Sequence, residues 1–283
     1  MGKWIRRVVV LAVAGVFLYS MASIGMTLYR YYISDKSYDD TAEQFTALAT
    51  GAEDAAGGTD GAEAGERGSA PGSVGTETAP IRVDFDGLRA VNGDIVGWIY
   101  CQDTPINYPV VRGEDNEFYL HHGFDGADSN SGAIFMEVQN RPGFADANTV
   151  IYGHHMKNGS MFAALAEYAD QTFYEEHPVM WLLTPEQDYK IIVFSGYTAS
   201  AGSDTYQIFE GASGEFDEYL ETVQGRSDFT ADMEPDGAAK YVLLSTCAYD
   251  FEDARYVIHG MLVPVGSAAG VPGEAGQSAA SGD

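Results

Sequence analysis

The chain has 283 residues, of which 45% are apolar and 12% aromatic, and this content is sufficient for a full hydrophobic core. Its formal net charge is −27, and all but one of its 42 acidic residues follow Asp35. Such an acidic surface repels phosphate backbones, which argues against nucleic-acid binding. The two cysteines, Cys101 and Cys247, form no disulfide framework and fit no zinc ribbon by their spacing.

An uncharged segment near the N-terminus, residues 8–29, is long enough to cross a bilayer. Basic residues precede it, so the positive-inside rule places the N-terminus in the cytoplasm and the rest of the chain outside. A cleaved signal peptide is the alternative, because residues 20–22 offer a small-x-small cleavage site. Apolar residues continue past that site, so we expect residues 1–36 to hold a retained, single transmembrane helix.

Residues 37–80 are expected to form a flexible extracytoplasmic linker. Two apolar side chains at helical spacing predict a short helix within residues 37–50. Beyond it, up to residue 80, the residues are small or polar, and they cannot bury enough apolar surface to offset the loss of chain entropy on folding. The tail, residues 266–283, has the same composition and is expected to be disordered.

Residues 81–265 have the size of one folded domain. A helical stripe opens this domain, and segments rich in Val, Ile, Tyr and Trp follow, separated by Gly, Asp, Asn and Pro. The predicted strands are 96–100, 106–111, 133–137, 149–152, 180–183, 189–197, 240–245 and 255–263. Two predicted helices, 160–168 and 214–224, interrupt them. Strands this numerous with so few helices predict a mostly β fold, closed into a largely antiparallel barrel.

Three residues with side chains suited to catalysis lie at the ends of predicted strands. Cys247 follows one strand, Arg255 opens the next, and His154 follows an earlier one. A cysteine thiolate is a strong nucleophile at neutral pH, but it needs a base or a cation nearby. Arginine keeps its proton and can therefore stabilise an oxyanion. The pattern is typical of acyl transfer by thiolate attack.

Each of these residues also has a structural interpretation. A cysteine at a strand end is ordinarily structural, and Arg255 could form a surface ion pair with the acidic residues before it, of little value to stability. His154 and His155 compete for one role, because neighbours on an extended chain face opposite sides. His259 shares a strand face with Arg255 and could reach the same cleft, but a partly buried structural histidine is the favoured interpretation of this position. The residues alone leave the choice of histidine open.

Several separated segments resemble the class B sortases. Leu244-Ser245-Thr246-Cys247 before an Arg-initiated strand, with Tyr152-Gly153-His154 upstream, is similar to the sortase signature. Leu243 replaces the first residue of the usual Thr-Leu-x-Thr-Cys pattern, and we expect this change to affect packing rather than chemistry. The helix 214–224 also suits class B. The resemblance covers about residues 84–263 and extends to 94–99, 106–111, 115–120, 132–135 and 148–162.

The resemblance implies a sortase-type barrel with an N-terminal helix, a helix before the cysteine strand, and a cysteine transpeptidase that needs no cofactor and no metal. It implies that Cys247 is the nucleophile, that His154 is the general acid/base, and that Arg255 stabilises the oxyanion and the substrate backbone. Ser245 and Thr246 are expected to line the site as substrate-binding residues.

The same resemblance implies the reaction and the partners. The enzyme cleaves a C-terminal sorting signal after Thr, forms a thioester, and passes the protein to an amine of a peptidoglycan precursor. Use of a pilin Lys as acceptor is one alternative. A membrane-tethered binding domain without activity is another, against which the intact Cys, His and Arg set argues. The expected partners are a surface protein or pilin with a sorting signal, the acceptor amine and the membrane, with no nucleic acid. The expected location is the outer face of the cell membrane in a Gram-positive-type envelope.

Overall fold

The computed structural model of this protein describes residues 2–49, 75–247 and 253–266. Most of the predicted linker, residues 50–74, and the predicted tail beyond residue 266 lie outside the described residues.

All eight strands predicted for residues 81–265 are present in the predicted order, and the structure adds a short strand at 81–83 and short α-helices at 118–121 and 171–176 that the sequence did not predict. The strands are β1 (Thr46–Leu48), β2 (Gly75–Thr78), β3 (Ile81–Val83), β4 (Ile95–Tyr100), β5 (Asn107–Val111), β6 (Ile134–Met136), β7 (Asn148–Tyr152), β8 (Val179–Leu183), β9 (Tyr189–Ser200), β10 (Lys240–Cys247) and β11 (Ala254–Gly266). The α-helices are α1 (Lys3–Phe45), α2 (Phe85–Val91), α3 (Phe118–His121), α4 (Gln171–Glu176) and α5 (Gly214–Gly225). The helix predicted over 160–168 is a 3-10 helix over Ala163–Ala169.

Strands β4 to β11 close into a barrel, which confirms the predicted fold class. The hydrogen-bonded order is β10-β7-β6-β5-β4-β8-β9-β11, and β11 pairs again with β10 to complete the circle. Most of these pairs are antiparallel, whereas β5–β6 and β7–β10 are parallel. Closure leaves no free edge among the barrel strands, so the backbone groups of the site strands are paired on both sides.

Helix α1 has 43 residues and begins the described chain. By length and composition the stretch Arg6–Phe45 is apolar enough to cross a membrane, and its most apolar window has a mean hydropathy of 2.2 and no buried residue. The separate short helix expected within residues 37–50 is instead the end of α1, which stops at Phe45.

Both ends of the predicted linker pack on the barrel domain, which differs from the boundary expected at residue 37. Tyr38, Thr41 and Phe45 are buried along one face of α1 at intervals of three and four residues. After α1 the strand β1 pairs with β3, and β2 pairs with the end of β11. The buried stripe is one residue wide on the otherwise polar and charged outer end of α1, so the sequence pattern alone gives little sign of this docking.

Helix α5 precedes the cysteine strand, as predicted, and covers one side of the barrel. Ser213 caps its first turn by accepting a hydrogen bond from the Phe216 backbone N–H at 3.2 Å. Its buried face packs in a second apolar cluster with residues of β9, β10 and β11. The helix thus supports the strands that carry Cys247 and Arg255 from behind the site.

Candidate active site

The strand register brings three predicted residues to one end of the barrel. Strand β10 lies between β7, its parallel neighbour, and β11, its antiparallel neighbour. Ser245 stands opposite Tyr152, so His154 follows directly where β7 ends. Cys247 stands opposite Arg255 at the start of β11. Carboxyl ends of parallel strands and the amino end of an antiparallel partner meet at the same edge, which explains the convergence.

These residues line an open cleft of about 240 Å³. The cleft contains all five site residues predicted from the sequence, and their chemical roles remain predictions. Its lining residues are Asn116, Leu120, Phe135, Tyr152, Gly153, His154, Ala201, Tyr206, Ser245, Thr246, Cys247 and Arg255.

The thiol of Cys247 is half-buried at the end of β10. Side chains alternate along a strand, so Ser245 shares its face and Thr246 points to the opposite one. The Ser245 hydroxyl lies 2.8 Å from the Tyr206 hydroxyl. Thr246 Oγ1 is buried and has no hydrogen-bond partner in the described part of the chain. Ser245 therefore faces the thiol side, whereas Thr246 borders the cleft but has its side chain on the buried face of β10.

His154 is held by the backbone of the segment around α3. Its Nε2 lies 2.8 Å from the Leu120 carbonyl oxygen. A carbonyl oxygen only accepts hydrogen bonds, so Nε2 carries a proton in this contact and Nδ1 is the basic atom of the neutral ring. A histidine held by a carbonyl through one nitrogen is oriented for proton transfer at the other.

Gly132 lies directly against the His154 ring. Its backbone φ is 56°, in the left-handed region, and a Cβ there would lie 3.0 Å from His154 Cδ2. The same Cβ would lie 2.6 Å from the Tyr119 carbonyl oxygen. A glycine is therefore required for the close approach of this backbone to the imidazole.

The other two histidines considered from the sequence lie elsewhere. His155 Nδ1 is 2.9 Å from the backbone carbonyl oxygen of Cys247, so it contacts the main chain of this residue. His259 is 3% exposed and stacks on Tyr197 with ring centroids 5.6 Å apart. Burial, helped by the nearby Arg226 charge, lowers the pKa of His259 to about 3. His259 therefore belongs to the cluster under α5, and the possibility that it reaches the cleft is wrong.

Arg255 lies across the β10–β11 pair from Cys247 and donates from Nη1 to the Ala254 carbonyl oxygen at 2.9 Å. Its positive charge opposes the rise in the pKa of Tyr206, a rise that comes mainly from burial. Both facts place the guanidinium at the cleft. Most of the acidic residues considered as alternative partners lie in 248–252, outside the described residues.

A buried carboxylate behind one wall of the cleft was missed from the sequence. Glu137 accepts hydrogen bonds from Asn116 Nδ2 at 2.8 Å and from the Tyr152 hydroxyl at 2.9 Å. Burial is the main cause that raises the pKa of Tyr152, and the negative charge of Glu137 raises it further. The Tyr152 hydroxyl therefore keeps its proton and acts as a donor. The three residues come from separate segments with no shared spacing, and only the position of Tyr152 before Gly153-His154 hinted at the site.

The sortase domain family matches residues 99–263, and the chain belongs to this family of cysteine transpeptidases. Within residues 2–49, 75–247 and 253–266, no group of three or more His, Cys, Asp or Glu is placed to hold a metal ion.

Relatives define the class. The chain is 32% identical to sortase B of Listeria monocytogenes over 263 residues, covering 92% of this chain and 98% of that protein. It is 30% identical to sortase B of Staphylococcus aureus over 187 residues, covering 65% of this chain and 77% of that protein. Sortase B from Bacillus anthracis superposes with a TM-score of 0.66 at 29% identity, covering 84% of this chain and 99% of the other. The protein is therefore a class B sortase.

Proposed function

We propose that this transpeptidase is anchored in the cell membrane and cleaves a C-terminal sorting signal after threonine, with Cys247 as nucleophile. The protein is then transferred from the thioester to a cell-wall amine. The observation that carries the proposal is the strand register, which sets Cys247 opposite Arg255 and beside the end of the strand that leads to His154. A nucleophile, a base and a fixed cation in one cleft suit acyl transfer.

In the first step the Cys247 thiolate attacks the threonine carbonyl carbon. The new S–C bond forms, His154 gives a proton to the departing nitrogen, and the C–N bond breaks. Arg255 donates hydrogen bonds to the oxyanion as charge develops on it. In the second step the acceptor amine loses a proton to His154 and attacks the thioester. A C–N bond forms, the S–C bond breaks, and the thiolate is restored.

Ser245 and Thr246 are proposed to contact the substrate beside the thiol. Both line the cleft. The hydroxyl of Ser245 is bound to Tyr206, so these two residues form one polar wall on the thiol's side of β10. A solved structure of the S. aureus sortase B–substrate complex, with a TM-score of 0.60 at 30% identity, supports substrate binding by this fold.

Membrane anchoring by residues 8–29 is proposed from the apolar helix and the basic residues before it. The catalytic domain then stands outside the cell, in a Gram-positive-type envelope like that of the relatives, where a peptidoglycan precursor supplies the amine. N-terminal sequencing of the protein from membranes should find the anchor intact. A mature N-terminus at Ser23 would contradict a retained anchor.

The decisive experiment treats the full chain in detergent micelles with a library of threonine-containing peptides, with and without an amine acceptor. We expect cleavage, a mass adduct on Cys247, and a transfer product when the amine is present. Cys101→Ala is the matched control, because Cys101 is buried and burial raises the pKa of its thiol. The control should keep activity, and Cys247→Ala should lose it with its fold intact. An adduct on Cys101 or an active Cys247→Ala protein would refute the site.

A further inference from the structure

The outer end of α1, residues 34–45, contacts both segments that flank His154. One is residues 118–132, which holds the ring through Leu120. The other is residues 155–162, which continues the chain after the histidine. We refer to them as the preceding and following segments. A helix that leads out of the apolar N-terminal stretch thus touches the surroundings of the candidate base.

The contact with the preceding segment is a buried hydrogen bond. The Tyr38 hydroxyl donates to the Gly132 carbonyl oxygen at 2.6 Å, and the side chain is 5% exposed. Burial raises the pKa of Tyr38, so the hydroxyl keeps its proton as donor. The Tyr38 ring also lies 5.9 Å from the Phe124 ring, centroid to centroid. Tyr38 therefore holds the end of the preceding segment in place.

The contact with the following segment has two parts. Asp35 Oδ2 accepts from Asn158 Nδ2 at 2.6 Å. The Tyr38 ring meets the Tyr108 ring edge-on at 5.3 Å, and the Tyr108 hydroxyl accepts from the Met161 backbone N–H at 2.9 Å. One turn of α1 thus restrains both segments at once.

Gly132 transmits this restraint to the histidine. Its carbonyl binds Tyr38, while its Cα faces the ring so closely that a Cβ would lie 3.0 Å from His154 Cδ2. The next residue, Ala133, donates its backbone N–H to the Tyr119 carbonyl oxygen at 2.9 Å, and Leu120 accepts from His154 Nε2. A shift of the Gly132 peptide would therefore move Gly132 itself, which lies against the His154 ring, and the Leu120 carbonyl, which accepts from that ring.

We propose that Tyr38 is a positioning residue for His154 and that the outer end of α1 completes the active site. The inference rests on the proposed role of His154 in acid/base catalysis. Removing the hydroxyl leaves a buried carbonyl without its donor, and the peptide must move to satisfy it. Small displacements of a catalytic group lower the rate more than they lower binding or stability.

The test compares Tyr38→Phe with Tyr32→Phe in the full chain in detergent micelles. Tyr32 is on the same helix and 62% exposed, so it controls for loss of a tyrosine hydroxyl. With the best-cleaved peptide of the library, Tyr38→Phe should lower kcat about tenfold and leave KM within about twofold. Its Tm should stay within a few degrees of the parent, and Tyr32→Phe should match the parent. A kcat for Tyr38→Phe within twofold of the control would overturn the proposal.

A double-mutant cycle separates positioning from general destabilisation. If Tyr38 acts through His154, adding Tyr38→Phe to His154→Ala should cause no further loss of rate. Equal loss in both backgrounds would show a structural effect and overturn the inference. A nearly unchanged rate for His154→Ala itself would instead contradict the proposed acid/base assignment. Asp35→Ala, which cuts the contact to Asn158 without touching Tyr38, should lower kcat in the same direction, and an unchanged kcat would contradict the joint restraint.

Discussion

Gly132→Ala is the sharpest single change that the structure suggests, because it tests the approach of backbone to imidazole. The added methyl would lie 2.6 Å from the Tyr119 carbonyl oxygen, 2.9 Å from the Leu120 carbonyl oxygen and 3.0 Å from His154 Cδ2. Two of these neighbours are backbone atoms, so they cannot turn away as a flexible side chain can. The chain must open around residue 132, and the ring must move with it.

Two costs add in this variant. The left-handed backbone conformation costs an alanine about 1 kcal/mol relative to glycine. The overpacked contacts cost about 1–3 kcal/mol more. We therefore expect the free energy of unfolding to fall by about 2–4 kcal/mol. We also expect kcat to fall by about tenfold to a hundredfold, because His154, the proposed base, is displaced from the thiol.

Gly126→Ala supplies the matched control. Gly126 lies in the same segment with a φ of 78°, and nothing lies within 4 Å of the methyl it would gain. It carries the conformational cost alone, so it should lose about 1 kcal/mol and keep its kcat. Urea unfolding followed by tryptophan fluorescence gives the stabilities, and single-turnover peptide cleavage gives the rates. Equal activity in the two variants would refute the proposed contact between residue 132 and the base.

Three further predictions follow from the histidines and the arginine. His154→Ala should lose at least about a hundredfold in rate, whereas His155→Ala, whose ring contacts the main-chain carbonyl of Cys247, should lose far less. Arg255→Lys should keep the fold but lose about two to three orders of magnitude in both kcat and kcat/KM, since an ammonium cannot replace the planar fork; steady-state rates within about threefold of the parent would contradict this. Burial lowers the pKa of His259 to about 3, so between about pH 6.5 and 3 the unfolded chain binds a proton that the folded chain does not. The free energy of unfolding therefore falls as the pH falls through this range, by up to about 1.4 kcal/mol per pH unit. His259→Phe should flatten the acid side of the stability profile in urea titrations, and an unchanged slope would count against the burial of a neutral ring.

The barrel could be predicted because its strands carry the signal in their own sequence. Short runs of Val, Ile, Tyr and Trp between turn residues locate the eight barrel strands, β4 to β11, and few helices interrupt them, whereas the short strand β3 was not predicted. The convergence of Cys247, His154 and Arg255 was predicted from strand-end positions together with the family resemblance. The strand register brings these residues together, since Cys247 and Arg255 are direct partners across β10 and β11.

Contacts between distant segments could not be predicted in this way. Tyr38 and Gly132 are 94 positions apart, and nothing in the local pattern of either segment indicates the other. Glu137 is similar, because its donors Asn116 and Tyr152 lie on either side of it in the chain. For His259, strand alternation left a position beside Arg255 open, but four residues along a strand span about 13 Å and carry it under α5, where it is buried as the structural interpretation favoured.

The unbroken course of α1 has a consequence for how substrates arrive. A helix rises about 1.5 Å per residue, so Tyr38 stands only about 14 Å beyond Tyr29 along the axis. With residues 8–29 in the bilayer, as proposed, the docked domain is carried at a short and fixed height above the lipid headgroups. Proteins that are still held in the same membrane would then meet the cleft by lateral diffusion in a thin layer, at a high effective concentration. Proteins already released from the membrane would have no such advantage, so helix α1 itself would favour substrates at an early stage of their export.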